Sequence, residues 1–248
     1  MKKITVLLMV AVLTLGLSGQ AFAKDLVVAT DTNFKPFSYK NSEGVYVGFD
    51  IDMWEAIAEN AGLDYKLQPM DFNGIIPGLQ TGNIDVAVAG MSVKAEREEV
   101  IDFSLPYYKA GLVIMVRADN DEIKTMEDFE GKVVATKLGT SSVDFLKEHA
   151  PKMKDLKQFP NISDAFMELV AGGADVVFFD LPPLADYAAN AGKGKVKVVG
   201  PLYMGHWYGI AFPAGSEVRD KVNVSLLELM ESGKYAEIYK KWFGSEPR

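Results

Sequence analysis

The residues whose side chains most clearly could bind a ligand lie between Asp85 and Ser104, in the stretch DVAVAGMSVKAEREEVIDFS. Its apolar, β-branched start predicts a buried strand that breaks near Gly90 and leads into an alanine- and glutamate-rich helix. Backbone N–H groups at a helix start lack internal partners and can bind an anion. Gly90 permits close approach to the backbone, Ser92 offers a hydroxyl, and Arg97 offers a planar fork of donors. The stretch therefore predicts a carboxylate-binding site.

The same residues also allow a purely structural interpretation. Ser92 would cap the helix, and Arg97 would lie on a solvated face, paired with Glu96 or Glu98. For a stretch of this kind taken alone, that outcome is the more common one. The rest of the chain has to decide between the two.

Length and composition predict a packed, acidic protein. The 248 residues are 48% hydrophobic, enough for one large domain or two of ordinary size. The net charge of −8 disfavours nucleic acid and anionic membranes as partners. The absence of cysteine excludes disulfides and thiolate chemistry, and two isolated histidines, His149 and His206, make a poor zinc site. We expect no metal and no other cofactor.

The N-terminus predicts export. Two lysines precede an apolar run, residues 4–17, that is shorter than the about 20 residues of a membrane-spanning helix. Residues 21–23, Ala-Phe-Ala, form the small-x-small pattern at which signal peptidase cuts. We interpret residues 1–23 as a signal peptide, so the mature protein would begin at Lys24. With no cysteine after this site we expect no lipid anchor, and a protein free in the periplasm.

Strands and helices alternate along the rest of the chain, which predicts an α/β fold with mostly parallel sheets flanked by helices. The predicted strands cover residues 26–29, 65–68, 86–89, 111–116, 132–136, 157–159, 174–179 and 208–212. The predicted helices cover residues 48–62, 74–80, 163–171, 217–230 and 234–243, with one more after residue 141 and a short turn at 127–131.

This order predicts two lobes. The last two helices, rich in aromatic residues, need a surface to pack on, and the first βα unit needs cover. We infer that residues 24–108 and 207–248 form lobe 1 and that residues 109–206 form lobe 2. The two antiparallel crossings would make a two-strand hinge, with the ligand at the carboxyl ends of the strands.

Several motifs resemble one family. GFDIDMWEAIAENAG (48–62) resembles the signature of the family 3 solute-binding proteins, which are receptors of ABC importers for polar amino acids. GMSVKAERE, KLGTSS, FFD and YAEIYKKWFG also resemble family segments, in the family's order. ATDTNFKPF, PMDFNGIIPGLQ and FPNISDAFMEL are most similar to the glutamine-binding members. The resemblance implies the two-lobed type II periplasmic binding protein fold, a free amino acid as ligand, and an inner-membrane ABC permease as partner of a monomer.

The resemblance also implies a role for particular residues. Arg97 would bind the ligand's α-carboxylate, helped by Ser92 and by the backbone at Ser141. Asp180 and the carbonyl of Gly90 would bind the α-ammonium group. Burial of a zwitterion is tolerable only when each charge meets a partner.

The same comparison assigns the other end of the ligand. Phe34 and Phe72 would enclose its methylene groups, although a lone phenylalanine is more often ordinary core. Asp31 and Lys137 would reach the end of its side chain. An acceptor beside a donor suits a carboxamide, so we expect L-glutamine, with glutamate or another polar amino acid as the alternative.

Two positions depart from the glutamine-binding pattern. Ser141 stands where that pattern has glycine, and its backbone N–H is still available. Phe179 stands beside Asp180 where the pattern has histidine, and it removes a polar contact. The ligand range therefore depends on Phe179.

Two other classes of protein share features of this sequence. A few lyases and dehydratases share this fold, and they would need a general acid or base such as Asp31, Lys137 or Asp180. Each of these already has a complementary charge to bind, so we expect no enzyme. A sensor would require a transmembrane helix after the domain, which we do not expect because the chain shows none up to Arg248.

Overall fold

A computed structural model describes residues 25–247 of the chain. The predicted signal peptide and the predicted first residue of the mature protein, Lys24, lie outside the described residues. The strands are β1 (Leu26–Asp31), β2 (Asn33–Phe34), β3 (Ser38–Lys40), β4 (Tyr46–Val47), β5 (Tyr65–Met70), β6 (Val86–Ser92), β7 (Ile101–Phe103), β8 (Tyr108–Arg117), β9 (Val133–Lys137), β10 (Asp155–Phe159), β11 (Val176–Asp180) and β12 (Val196–Pro213). The helices are α1 (Phe49–Ala61), α2 (Ile75–Gln80), α3 (Ala95–Glu98), α4 (Ser141–His149), α5 (Ile162–Val170), α6 (Leu181–Ala189), α7 (Val218–Glu231) and α8 (Lys234–Phe243), with 3₁₀ turns at Phe72–Gly74 and Met126–Phe129.

Nine of the described strands form one mixed sheet in the order β10-β9-β11-β8-β12-β6-β1-β5, with β7 paired to β12. At one end β5, β1 and β6 are parallel, and at the other end β10, β9 and β11 are parallel. The antiparallel pairs of the described sheet all involve β8 or β12, which lie in the middle, and they include the pair of β12 with β7. The predicted α/β class, with mostly parallel strands flanked by helices, is confirmed.

The two long central strands connect the parallel groups. β8 and β12 pair with each other antiparallel from Val196 opposite Arg117 to Tyr208 opposite Tyr108. The register shifts between Val199 and Tyr203 and again between Tyr203 and His206. The predicted crossings thus lie side by side. The division into lobes after residue 108 and after residue 206 stays a prediction.

Helix α1 shows how one motif shapes the fold. Its buried face carries Met53, Trp54 and Ile57. Gly48 precedes it with φ of 147°, and a Cβ there would lie 1.9 Å from the carbonyl oxygen of Phe37, so only glycine fits. On the outside, α7 and α8 pack against α1, and the indole Nε1 of Trp242 donates to Asp52 over 2.6 Å.

The stretch that opened the sequence analysis folds differently from the prediction. Strand β6 continues through Gly90 to Ser92, because Gly90 adopts φ of 54° inside the strand and donates its N–H to Asp50 over 2.7 Å. The predicted helix is the single turn α3, and it is preceded by Lys94 without a side-chain cap. Helix propensity is overridden because the chain is drawn into β7, which pairs with β12.

Other elements were not predicted. Strand β7 and the three strands of the small sheet, β2, β3 and β4, are each only two or three residues long. This length is too short for a periodic signal in the sequence. Helix α6 starts directly after Asp180 with prolines in its first turn, which is a known start signal. The first half of β12 was missed as well, since its exposed middle lacks the alternation of a strand.

Candidate ligand-binding site

Four strands end at one narrow cavity, in which about 10 Å³ of space is accessible. Asp31, Ser92, Lys137 and Asp180 are the last residues of β1, β6, β9 and β11. Within each parallel group the carboxyl ends lie at one edge, so Asp31 lies on the same edge as Ser92 and Lys137 on the same edge as Asp180, and the two edges meet at the cavity. All ten predicted site residues line the cavity, which is bordered by Asp31, Phe34, Phe72, Gly90, Ser92, Arg97, Lys137, Ser141, Phe179 and Asp180, together with Ala89 and Thr140.

Arg97 is buried and held by two backbone carbonyls. Its Nη1 donates to Ser92 over 3.0 Å and its Nη2 donates to Gly139 over 3.2 Å, while the guanidinium carbon lies 5.6 Å from the centre of the Phe72 ring. Glu96, which the structural interpretation paired with Arg97, forms its salt bridge with Lys94 instead. Burial lowers the pKa of Arg97 while leaving the group a cation. The solvated-face interpretation is therefore wrong, and a fixed cation borders the cavity.

The N-terminus of α4 stands beside Arg97. Ser141, its first residue, places its Oγ 3.2 Å from the Oγ of Ser92, and no side chain caps the helix. Thr140, at the N-cap position, donates its hydroxyl to the carbonyl of Lys137 instead, over 2.7 Å. The first N–H groups of this nine-residue helix are therefore hydrogen-bond donors that lie beside the Arg97 cation and can bind the same anion. Thr140 was not predicted, although its place before a helix start is a recognisable signal.

Asp180 supplies the opposite charge. It is 5% exposed, and its Oδ1 lies 3.0 Å from Nε2 of His206, a residue that the sequence analysis considered only as a zinc ligand. Neither atom has a well-aligned hydrogen bond within residues 25–247. Asp180 therefore retains acceptor capacity at the cavity.

Gly90 is supported from behind by a buried carboxyl group. Oδ2 of Asp50 accepts the N–H of Gly90 over 2.7 Å, and Oδ1 accepts the hydroxyl of Tyr107 over 2.8 Å. Burial raises the pKa of Asp50 to about 7, although these two hydrogen bonds oppose the shift. A Cβ at position 90 would lie 2.2 Å from the ring of Phe34, so the strand passes the cavity only with glycine. Asp50 was not among the predicted site residues because it lies beneath the cavity rather than on its wall.

The other end of the cavity carries an ion pair. Lys137 and Asp31 pair through Nζ and Oδ2, and their side chains are 1% and 2% exposed. Lys137 also donates to the carbonyl of Asn33 over 3.2 Å. Phe72 lies near both cations of the site, with its ring centre 6.0 Å from Nζ of Lys137. This end of the cavity carries one positive and one negative side chain, and the ion pair has no net charge.

The phenylalanines serve the core and the cavity together. Phe34 stacks on Phe37 with ring centres 4.9 Å apart and meets the edge of Phe179 at 6.0 Å. It is 3% exposed, as a core residue is. Phe34, Phe72 and Phe179 thus give the cavity its apolar wall, and their packing fixes where that wall stands.

Residues on the two sides of the cavity touch each other. Besides the pairs already described, the side-chain oxygen of Asn33 accepts the N–H of Ser163 over 3.1 Å, and Lys94 pairs with Asp144 at 2.9 Å. The cavity is consequently closed over by contacts between residues 25–108 and residues 109–206.

Two absences apply to the described part of the chain. Within residues 25–247, no helix combines the length and apolar composition that a membrane crossing requires. In the same range, no three His, Cys, Asp or Glu side chains are grouped so that they could hold a metal ion.

Comparison with known proteins gives a consistent result. The model of the bacterial extracellular solute-binding proteins, family 3, matches residues 26–245. The chain is 30% identical over 256 residues to the arginine-binding extracellular protein ArtP of Bacillus subtilis (strain 168), covering 99% of this chain and 100% of ArtP. It is 34% identical over 229 residues to the ABC transporter glutamine-binding protein GlnH of the same organism, covering 90% of this chain and 82% of GlnH.

Solved structures agree in fold. An ancestral arginine-binding protein, solved with glutamine and also with arginine, is 43% identical, with a TM-score of 0.86 over 90% of this chain and 99% of the other. The ancestral amino acid-binding protein AncCDT-1, a precursor of cyclohexadienyl dehydratase, is 40% identical, with a TM-score of 0.81 over 88% of this chain and 95% of the other.

Proposed function

Because the chain belongs to family 3 of the bacterial extracellular solute-binding proteins, we propose that it captures a free polar amino acid, most favourably L-glutamine, for an ABC importer. The observation that carries the proposal is the separation of charge around the cavity. A fixed guanidinium and a helix N-terminus stand at one place, and a carboxylate with unused acceptor capacity stands at another.

The α-carboxylate of the ligand would bind Arg97, Ser92 and the first N–H of α4. The Arg97 side chain already uses donors on Nη1 and Nη2 for carbonyls, and a guanidinium has five donors in all. The remaining donors stay available for a carboxylate. The α-ammonium would bind Asp180 and the carbonyl of Gly90, so each charge of the zwitterion would meet a partner inside the cavity.

The side chain of the ligand would reach Asp31 and Lys137. A terminal carboxamide can donate to Asp31 and accept from Lys137 at once. A terminal carboxylate would repel Asp31, and a terminal cation would repel Lys137. This complementarity supports glutamine over glutamate, arginine and lysine. Phe34 and Phe72 would cover the methylene groups between the two ends.

Arginine is the main competing ligand. ArtP is named for arginine, and the ancestral protein was solved with both amino acids. Arginine would have to displace Lys137 from Asp31, which costs a buried ion pair. The proposal therefore ranks arginine below glutamine.

An enzymatic function has less support. A lyase or dehydratase needs a free acid or base in the cavity. Asp31 and Lys137 neutralise each other, and Asp180 faces His206. AncCDT-1, described as an amino acid-binding precursor of a dehydratase, shows that the two functions are near each other in this fold. Incubation with a bound amino acid, followed by mass spectrometry of the small molecule, would reveal turnover.

The cellular setting follows from the same proposal. Cleavage after Ala23 would release a monomeric protein into the periplasm, where it would meet an inner-membrane permease. Motion about β8 and β12 would close lobe 1 on lobe 2 around the ligand, because a ligand that contacts both lobes favours the closed state.

The proposal is tested with a thermal-shift panel of the twenty amino acids. A ligand that binds only the native state raises the melting temperature according to its occupancy. We expect the largest rise with L-glutamine, smaller rises with L-glutamate and L-arginine, and calorimetric confirmation for the best three. A larger rise with arginine or an acidic amino acid would overturn the glutamine assignment, and no rise with any amino acid would overturn the whole function.

A further inference from the structure

His206 occupies an unusual position in β12. It lies opposite Ala110 of β8. It is the first paired residue after the second register shift, and from it the pairing runs regularly to Tyr208. The residue is 7% exposed. Both ring nitrogens face oxygen atoms, since Nδ1 lies 3.0 Å from the carbonyl of Met204 and Nε2 lies 3.0 Å from Oδ1 of Asp180. A buried histidine thus bridges the strand pair and the candidate ammonium site.

The two oxygens define the protonation state of the ring. A backbone carbonyl has no hydrogen to give, and an ionised carboxylate has none either. A bare nitrogen lone pair facing either oxygen at 3.0 Å would be repelled. Only the imidazolium, which carries hydrogens on both nitrogens, avoids this repulsion at both neighbours, and toward Asp180 the contact is an ion pair and not an aligned hydrogen bond. Burial alone would lower the pKa of His206, but the neighbouring Asp180 and the carbonyl of Met204 outweigh burial and raise it.

The groups that face His206 are few. Asp180, at the end of β11, favours the charged ring, and Arg97, on α3, disfavours it. The ring of Tyr208, on the same strand, lies 5.5 Å away between centres. Ala110 of β8, the residue paired with His206, carries no charge. The charge of His206 therefore depends mainly on whether Asp180 is free to balance it.

We propose that His206 is a positioning residue of the ammonium site: it holds Asp180 as an imidazolium in the empty protein and releases a proton when the ammonium of an amino acid reaches that carboxylate. The inference rests on the proposed function. One carboxylate then stands between two cations, and the ring relieves the excess positive charge by losing the proton on Nε2 to solvent. The proton on Nδ1 stays with the carbonyl of Met204.

Tyr208 makes this step feasible. Its hydroxyl is buried and has no hydrogen-bond partner within the described residues. Burial raises the pKa of Tyr208 well above its ordinary value, so the hydroxyl keeps its hydrogen. That hydroxyl can donate to Asp180 once His206 is no longer its cationic partner. The carboxylate, repelled by the bare Nε2, then turns toward this hydroxyl and the ammonium group of the ligand.

The direction of the pH effect follows by linkage. If the ligand lowers the pKa of His206, the bound state holds fewer protons than the empty state between the two pKa values. Affinity then rises with pH through that window and is level on either side of it. Each unit of difference between the two pKa values corresponds to a tenfold gain in affinity, or about 1.4 kcal/mol.

The decisive measurement is titration calorimetry with L-glutamine and L-arginine at pH 7 in buffers of different ionisation enthalpy. The slope of the observed enthalpy against the buffer's ionisation enthalpy counts the protons exchanged. We expect the wild-type protein to release protons with both ligands, because both share the α-ammonium group. His206→Gln keeps an amide donor near Asp180 but cannot titrate, so it should bind with no proton release and with an affinity that is flat from pH 5.5 to 8.

The chain offers a matched control and a second readout. It has two histidines, and His149 lies away from the cavity on α4, with its side chain 46% exposed. His149→Gln should release protons as the wild type does. In protein with ¹⁵N-labelled histidine, the resonances of His206 should titrate at lower pH after L-glutamine is added, while those of His149 stay in place. This measurement uses the wild-type protein and holds even if His206→Gln fails to fold.

The outcomes separate the two proposals. Binding heat with no proton release, or unchanged release in His206→Gln, overturns the role of His206 and leaves the proposed function intact. Absence of binding heat for every amino acid in the panel overturns both. A His206 resonance whose titration is unaffected by ligand likewise rejects the proton coupling.

Discussion

The two ends of the cavity handle charge in opposite ways. At one end Lys137 and Asp31 are paired with each other, so each of these two charges is balanced by a side chain of the protein. At the other end Arg97 is held by neutral carbonyls and forms no salt bridge with Asp180 within residues 25–247, and Asp180 faces the titratable ring of His206. The second end is therefore poised for an external zwitterion, whereas the first end admits only a group that fits between two charges.

The contrast separates two tasks. Every amino acid carries the same ammonium and carboxylate, so the end with Arg97 and Asp180 would supply most of the affinity without distinguishing among ligands. The end with Asp31 and Lys137 would supply less affinity and most of the selectivity. Substitutions at the two ends should therefore lower affinity in different ways: one end for all amino acids alike, the other end for some more than others.

The largest effect is expected from Arg97→Ala. The ligand carboxylate would be buried without its cation, which costs on the order of 3–5 kcal/mol and reduces affinity for all amino acids together. Arg97→Lys should restore little, because an ammonium lacks the bidentate geometry. Calorimetry with L-glutamine measures the loss.

Arg117→Ala is the matched control for this change. Arg117 also donates to two backbone carbonyls, those of Leu169 and Ala174, but away from the cavity. Its removal should lower the free energy of unfolding and leave affinity unchanged. Comparable affinity losses in both variants would mean that Arg97 acts through stability and not through the ligand.

A smaller and selective effect is expected from Lys137→Met. The affinity for L-glutamine should fall by about 1.5–3 kcal/mol, the range for a hydrogen bond to a charged group. The unpaired Asp31 should now accept a cationic side chain, so the thermal shift with L-arginine should exceed that with L-glutamine. Lys157→Met, which removes a half-exposed partner of Glu168, serves as control and should not alter the ranking. An unchanged ranking in Lys137→Met would place the selectivity elsewhere.

The smallest effect is expected from Lys94→Ala. Lys94 and Asp144 join the two sides of the cavity at its exposed edge, and Asp144 is 56% exposed. Such pairs contribute about 0.2–1 kcal/mol and weaken with salt. Affinity should fall at most fivefold at low ionic strength and recover to the wild-type value in 0.5 M salt.

Lys66→Ala removes a similar exposed pair, with Asp25, within one side of the cavity. It should leave affinity unchanged at any salt concentration. If both lysine variants lower affinity alike, general surface charge and not the closure contact is responsible.

Much of the site could be predicted because its residues lie in contiguous motifs. Gly90, Ser92 and Arg97 fall within eight consecutive positions, and Asp31, Lys137 and Asp180 each follow an apolar strand signal. The parallel-sheet rule brings Asp31 to the same edge as Ser92 and Lys137 to the same edge as Asp180. The resemblance to the family implied that both pairs serve one ligand. His206 and Asp50 could not be found in this way. Each contributes to the site through a partner on another element, Asp180 for His206 and Gly90 for Asp50, and no local spacing in the sequence indicates such a pair.

The fold shows the same limit. Long periodic elements such as α1 and α8 were predicted nearly to the residue, since each carries a complete apolar face. The helix expected after Gly90 and Ser92 forms only as the single turn α3, because pairing of β7 with β12 decides the segment that follows. Residues 101–103 pair with residues 211–213, and a sequence read locally contains no information on that contact.

The packing of α7 and α8 on α1 also dictates when the protein can fold. Trp242 and Asp52, joined by a hydrogen bond, are separated by 190 positions, and β6 needs β12 as its neighbour. While a ribosome is still adding residues, the first strands have no partner on one side and the outer face of α1 lacks the helices that pack on it. Such distant contacts form slowly and late. A chain that ends before Lys234 would lose the packing of α8 on α1, and it should unfold at a lower temperature than the full chain.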